Sequence, residues 1–244
     1  MQDTIIIPER FRGPPNSGNG GYVGGAFARL VNHDCRIPTE VTLRSPIPLD
    51  HPLQINRSDS HLTTITDGEQ LIAEVRTTEM SLHRPPVPEL AAIEASASQS
   101  YSFTENLNPI FEGRKGFHPI CFCCGAEHED GARVFAAPVG DQVAAVWQTD
   151  PSWCDENNRV PLEYLWTAMD CPGQFAYLAT GIRTGMLGRI SAVIHEQPAA
   201  GEKLIVCAWP IEIQGKKHFA GSAIYSLDGQ CFSEAITVWI GRRD

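Results

Sequence analysis

The sequence predicts an α+β fold of two units, each an antiparallel sheet covered on one face by its own helix. Three observations lead there. Residues 160–177, VPLEYLWTAMDCPGQFAY, gather Leu162, Leu165, Trp166, Met169, Gly173, Ala176 and Tyr177 on one side of a helix. A second helical stretch, 22–32, follows a glycine-rich loop and places Tyr22, Ala26, Phe27 and Leu30 together. After each of these stretches come segments of alternating polarity separated by turn residues, so one plan is repeated along the chain.

Taken in order, 4–11 reads as a short strand. Residues 12–21 hold four glycines and two prolines in ten positions, which excludes regular structure. Asn19 or a neighbour caps the first helix and leaves the N–H groups of Gly20 and Gly21 at its positive end, while Gly24 and Gly25 allow another backbone to approach closely. Strands are expected at 39–45, at 53–66 with a bend at Ser58-Asp59, and at 70–80. Asp67-Gly68 marks the hairpin between the last two. Residues 84–117 are rich in Pro, Ser and Ala, with one short helix expected at 88–95, and read as a connection lying on the surface or over a cleft. Strands then return at 131–137 and 142–148. The long helix follows, with Pro161 in its first turn and a bend at Pro172-Gly173. Strands at 188–196, 203–214, 217–227 and 232–240 complete the chain. The expected division is an N-terminal unit at 1–84, a linker at 85–117 and a C-terminal unit at 118–244.

Composition narrows the function classes. The chain has 244 residues, 42% of them apolar, enough for a substantial core, and its net charge of −10 gives no electrostatic footprint for nucleic acid or an anionic membrane surface. No apolar run approaches the length of a membrane span, and MQDTIIIPERF lacks the basic, apolar and small-residue regions of a secretory leader. A cytoplasmic location is therefore expected. The eight cysteines are scattered and suggest no disulfide framework; Cys154, Cys171, Cys207 and Cys231 read as core residues.

Two groups of residues carry chemistry. Asp170 lies at the border of the apolar stripe, with Glu163 two turns upstream and Gln174 one turn downstream, so the three could line the rim of a cleft. An acid at Glu163 also suits the first turn of a helix without further purpose. The second group is Cys121-Phe122-Cys123-Cys124, with His118 and His128 nearby. Cys121 and Cys124 have acceptable zinc spacing, and His118, Cys121, Cys124 and His128 would make four ligands. A single C-x-x-C without a second knuckle is a weak signal, and the expectation is no metal and no cofactor.

FRGPPNSGNGGYVGG in the first half, and HPICFCCG, DGARV, VPLEYLWTAMDCPGQFAY, GRISAVIHE and KKHFAGSAIYSLDGQCFSEA in the second, resemble the double hotdog acyl-CoA thioesterases and their phenylacetate-pathway relatives. The resemblance covers both halves. It implies a double hotdog in which each antiparallel sheet wraps a central helix, an acyl-CoA or similar thioester as partner, and no metal in the CFCCG run. By the same resemblance Asp170 is the base or nucleophile, and Gly21 or Gly20 polarises the carbonyl. Asn19 stands where many members have His, and Ser191 and Thr237 stand near the residues that position water, with Thr237 where a Gln is expected. His195, on the strand of Ser191, reads rather as a hairpin-edge residue.

The halves have complementary gaps. The first helix has Arg29 near the position of Asp170, and the loop before the second has no glycine pair, so one composite site is expected, with Arg29 structural or in contact with a phosphate. Thioester hydrolysis is the leading function. A ligand-binding protein for acyl or aromatic groups without turnover, and an acyl-CoA hydratase or dehydratase, are the alternatives; the replacement of the loop His by Asn19 speaks against the last. Neither nucleic acid nor membrane is expected as partner, and a homo-oligomer of double hotdog units stays open.

Overall fold

A computed structural model describes residues 3–31, 34–57 and 62–241. Its strands form one antiparallel sheet: β1 (Thr4–Ile6), β2 (Thr39–Leu43), β3 (Pro52–Arg57), β4 (Thr63–Asp67), β5 (Gln70–Thr77), β6 (Ala137–Val139), β7 (Gln142–Gln148), β8 (Thr184–Ile194), β9 (Lys203–Gln214), β10 (Lys217–Ser226) and β11 (Cys231–Gly241). Their spatial order is β1-β3-β4-β5-β2-β8-β11-β10-β9-β7-β6. The first five strands in that order come from the first half of the chain and the other six from the second.

The halves are thus fused through one seam, the antiparallel pairing of β2 with β8, where Val41 faces Ile190 and Glu40 faces Ser191. Side chains alternate across a strand. Val41 and Ile190 point to the helices and join the main core, whereas Glu40 points outward between Arg76 and Arg189, at 2.7 and 3.3 Å. This matches an α+β double hotdog, with the two expected sheets continuous.

The helices against this sheet are α1 (Gly20–Ala28), α2 (Leu90–Ser96), α3 (Leu162–Ala168) and α4 (Cys171–Ala179). Helix α1 packs directly on α3, and the glycines of α1 make the approach possible. A Cβ at Gly21 would stand 2.6 Å from the carbonyl oxygen of Trp166, and one at Gly25 would stand 2.7 Å from the Cα of Glu163. Backbone therefore meets backbone along this contact, the use of glycine anticipated for Gly25, whereas Gly24 makes room for the side chains of Ile190 and Trp166. The aromatic rings of Phe11, Tyr22, Phe122 and Tyr164 close one end of it, with Phe11 stacked on Tyr22.

The single bent helix expected at 160–177 is instead two. The break falls at Met169 and Asp170, upstream of the expected bend. Pro172 is at the first turn of α4, where its ring would collide with the Ala168 carbonyl of a continuous helix. Asp170 leaves the helical region at ψ −87° and its carbonyl accepts the N–H of Gly173 at 2.9 Å. Gly173 in turn lets α4 sit on β11, since a Cβ there would reach within 2.6 Å of the Thr237 hydroxyl.

Strands β7 and β9 coincide with the segments read from the sequence, and β10 and β11 lie within one residue of theirs at each end. Expected strand 4–11 ends at Ile6 and continues as a 3-10 turn at Glu9–Phe11, and of 131–137 only Ala137 is in a strand: Arg133 turns the chain at φ +58°, and the Ala132 and Val134 N–H groups donate to the Phe122 and Cys123 carbonyls. The expected bend at Ser58-Asp59 and the end of the first helix at Asn32 lie outside the described residues. The connecting segment runs over the outer face of the second-half strands, where Ile93 of α2 is buried against Ile205, Cys207, Trp209 and Tyr225. Among the described residues no helix is long and apolar enough to cross a membrane.

Candidate functional site

The break between α3 and α4 turns the Asp170 carboxylate toward the N-terminus of α1. Its Oδ2 accepts the Gly21 N–H at 2.9 Å and the Asn19 Nδ2 amide at 2.8 Å. Asn19 has a second duty, because its Oδ1 caps α1 by accepting the Tyr22 N–H at 2.9 Å. One side chain thus fixes both the start of α1 and the orientation of Asp170. The other carboxylate oxygen, Oδ1, is buried without a hydrogen-bond partner. Burial, with the neighbouring Cys121 sulfur, raises the Asp170 pKa to about 7 against the lowering effect of the Gly21 and Asn19 hydrogen bonds.

Asp170 and Asn19 line one cleft of about 510 Å³, within the usual size of small-molecule sites. Its wall is mostly apolar, built by Leu43, Ile47, Met186, Leu187, Trp239 and Ile240 from the central strands and the loop after β2. Residues 13–20 line the same cleft, with Gly20 packed against Leu187 and Leu43 of this wall. No acceptor among the described residues takes the Gly20 N–H, whereas the Gly21 N–H is committed to Asp170. Of the two glycines, Gly20 is the one left free to meet a ligand.

Asn19, Gly20, Gly21 and Asp170 are therefore brought together from the two halves. Ser191 and Thr237 are not with them. Ser191 lies on the outer face of the sheet, 3.5 Å from Glu40, and lines a separate groove beside Trp209. Thr237 faces the helices but is bound up in the packing: its hydroxyl donates to the Ala220 carbonyl at 3.3 Å and accepts the Trp239 indole N–H at 3.0 Å. His195 is half-exposed near Glu234, away from the cleft. Arg29 pairs with Glu163 at 2.6 Å across α1 and α3, so Glu163 is drawn to that ion pair and away from the cleft rim, while Gln174 reaches it.

His118, Cys121 and Cys171 also line the cleft. The sequence pointed to the first two only through metal spacing and to Cys171 only as a core residue. Gln174 holds the start of β8, its amide donating to the Gly185 carbonyl at 2.8 Å, while its Oε1 and the His118 Nδ1 are buried without partners. A more polar groove of about 700 Å³ beside Asp150 and Trp153 contains none of the predicted site residues.

No family model matches the chain, and no curated protein matches it. Solved structures do, over essentially the full length. A hot dog fold protein of unknown function from Alicyclobacillus acidocaldarius superposes at a TM-score of 0.54 with 9% identity, covering 100% of this chain and 93% of the other. The tesB protein of Mycobacterium avium subs paratuberculosis gives 0.58 with 13% identity over 98% and 91%. A Lactobacillus plantarum protein with the provisional name oleoyl thioesterase gives 0.59 with 8% identity over 100% and 96%. At such identities the likeness establishes the fold alone, that of the hotdog proteins.

Proposed function

We propose that the cleft hydrolyses an acyl thioester, with an acyl-CoA as the natural form of substrate. The observation that carries this reading is that one cleft with an apolar wall is lined both by Asp170, whose Oδ1 is buried without a partner, and by Gly20, whose N–H at a helix N-terminus meets no acceptor among the described residues, each from a different half of the chain. Hydrolysis requires a base for water and a donor for the carbonyl oxygen. Asp170 Oδ1 takes a proton from water as the water oxygen attacks the carbonyl carbon. The Gly20 N–H receives the negative charge on the carbonyl oxygen. Collapse breaks the C–S bond, and the proton on Asp170 passes to the departing sulfur. Asn19 and the Gly21 N–H hold the carboxylate in place through Oδ2. The apolar wall suits the acyl group, and the size of the cleft suits a short or medium chain or an aromatic group.

Incubation with a panel of acyl-CoAs, with free thiol followed over time, tests the reading. Turnover of at least one of them, lost in Asp170→Asn, is the expected result; no turnover, or undiminished turnover in that variant, overturns it. Binding without turnover is a second reading, favoured by Ser191 facing the other side of the sheet and Thr237 being engaged by Trp239, which leaves few groups to position water. A ligand identified by mass spectrometry in protein that turns over none of the panel would establish that second reading.

A further inference from the structure

Beside the cleft lies a group of buried thiols that thioester hydrolysis does not use. Cys121 and Cys124 belong to a tight turn closed by Gly125, whose N–H donates to the Cys121 carbonyl at 2.8 Å. A Cβ on Gly125 would stand 2.5 Å from both the Cys121 nitrogen and the Pro119 carbonyl oxygen, so this turn requires glycine.

The third thiol comes from another element. Because the helix breaks at Asp170, Cys171 opens α4 and its sulfur is 3.7 Å from that of Cys121. The sulfurs of Cys121, Cys124 and Cys171 all lie within 4.8 Å of one another, and all three residues are buried. Thiolates about 2.3 Å from a tetrahedral zinc ion stand roughly 3.8 Å apart, close to the Cys121–Cys171 spacing. The fourth cysteine of the neighbourhood is used differently: Cys123 donates to the Thr167 carbonyl at 3.1 Å. His128, one of the ligands suggested by spacing, is engaged elsewhere, with Nε2 2.7 Å from the Arg10 carbonyl and Nδ1 accepting the Asp130 N–H.

We infer that Cys121, Cys124 and Cys171 form a zinc site of three thiolates, whose remaining coordination position faces the cleft. Two of the three ligands, Cys121 and Cys171, line that cleft. Three thiolates leave the fourth position of a tetrahedral zinc ion to water or to a ligand entering from the cleft. The ion would tie the turn at 121–125 to the start of α4 and so fix the segment that carries Asp170. The site stands whether or not the cleft hydrolyses thioesters.

The test uses the full chain, purified under reducing conditions without chelator, and reads metal directly. Elemental analysis after incubation with zinc and desalting is expected to give one zinc per chain, and cobalt in its place is expected to give thiolate charge-transfer and tetrahedral d–d absorption. Zinc should protect Cys121, Cys124 and Cys171 from alkylation, mapped by mass spectrometry, while exposed Cys154 reacts with or without it. Cys124→Ser and Cys171→Ser should each weaken zinc binding by about 100-fold or more, and Cys123→Ser should retain it. Should a variant fail to fold, the cobalt spectrum and alkylation pattern of the parent decide. Less than one tenth of an equivalent of zinc in the reduced parent, a cobalt spectrum without thiolate bands, or a disulfide among these cysteines with no zinc uptake after its reduction overturns the inference.

Discussion

The Gly21 N–H donates to the Asp170 carboxylate across 2.9 Å, and this bond joins the first helix of one half to the helix break of the other. Two features set it: the absence of a Cβ at Gly21, which lets α1 reach the Trp166 carbonyl, and Pro172, which ends α3 and turns Asp170 inward. Replacing Asp170 separates chemistry from packing. Asp170→Asn keeps an acceptor for Gly21 but removes the base, so kcat/KM on any acyl-CoA that the parent cleaves should fall by about 100-fold or more. Asp170→Ala leaves the Gly21 N–H and the Asn19 amide buried without their acceptor and should cost a further ~1–3 kcal/mol of stability in urea unfolding. Equal stability of the two variants would show that these bonds contribute little to the fold.

Asn19 is expected to be more sensitive to the character of a substitution than to its size. Asn19→Ser keeps a cap for α1 but gives up the donor to Asp170; stability should fall by only about 1 kcal/mol, while turnover falls by roughly tenfold as the carboxylate loses one anchor. Asn19→Asp also keeps the cap, yet sets a second carboxylate against Asp170 Oδ2, now 2.8 Å from the Asn19 amide. Its loss of stability should exceed that of the Ser variant, because two buried carboxylates then face each other. Urea unfolding of the two variants beside the parent checks the order.

The strands of the second half were legible because their signals are local. Alternation and turn glycines bound β7, β9 and β10, and in the first half too Gly68, between β4 and β5, takes the positive φ, +57°, that Asp-Gly announces. The meeting of the glycine loop with Asp170 could be anticipated from two complementary gaps, a half without an acid and a half without a glycine pair. The break of the long helix was less accessible, since Pro172 is compatible with a kink as well as an interruption, and packing of α4 on β11 through Gly173 favours the latter. The approach of Cys171 to Cys121 was hidden altogether. The two are 50 positions apart, and their contact depends on where α4 begins.

Strand parity accounts for the separation of Ser191 from Thr237. Ser191 is paired with Ile236, so these two share the outer face, and Thr237, one residue further, must point to the helices with Ile190. Resemblance in sequence carries no such register. Ser191→Ala should leave turnover within about twofold of the parent and stability within ~0.5 kcal/mol. Thr237→Val removes the acceptor of the Trp239 indole beneath the cleft wall and should destabilise by ~1–2 kcal/mol. Turnover and unfolding of both variants provide the check; a tenfold loss of turnover in Ser191→Ala would mean that the outer groove takes part in the reaction.

Arg29 distinguishes a structural role from a phosphate contact. Its guanidinium pairs with Glu163 at 2.6 Å over the α1 and α3 contact, and its side chain is 59% exposed. Solvent screens a pair of this kind, so Arg29→Ala should cost under about 1 kcal/mol. Neither residue lines the cleft that contains Asp170. The variant should therefore bind free coenzyme A as the parent does, and its kcat/KM on acyl-CoA should change by less than about threefold, the size of effect expected for a remote surface ion pair. Calorimetric titration with coenzyme A at low and high salt is the decisive measurement. A salt-sensitive affinity that drops tenfold in Arg29→Ala, with the fold intact, would assign Arg29 to the phosphates and place the nucleotide end of the ligand on the α1 side of the molecule.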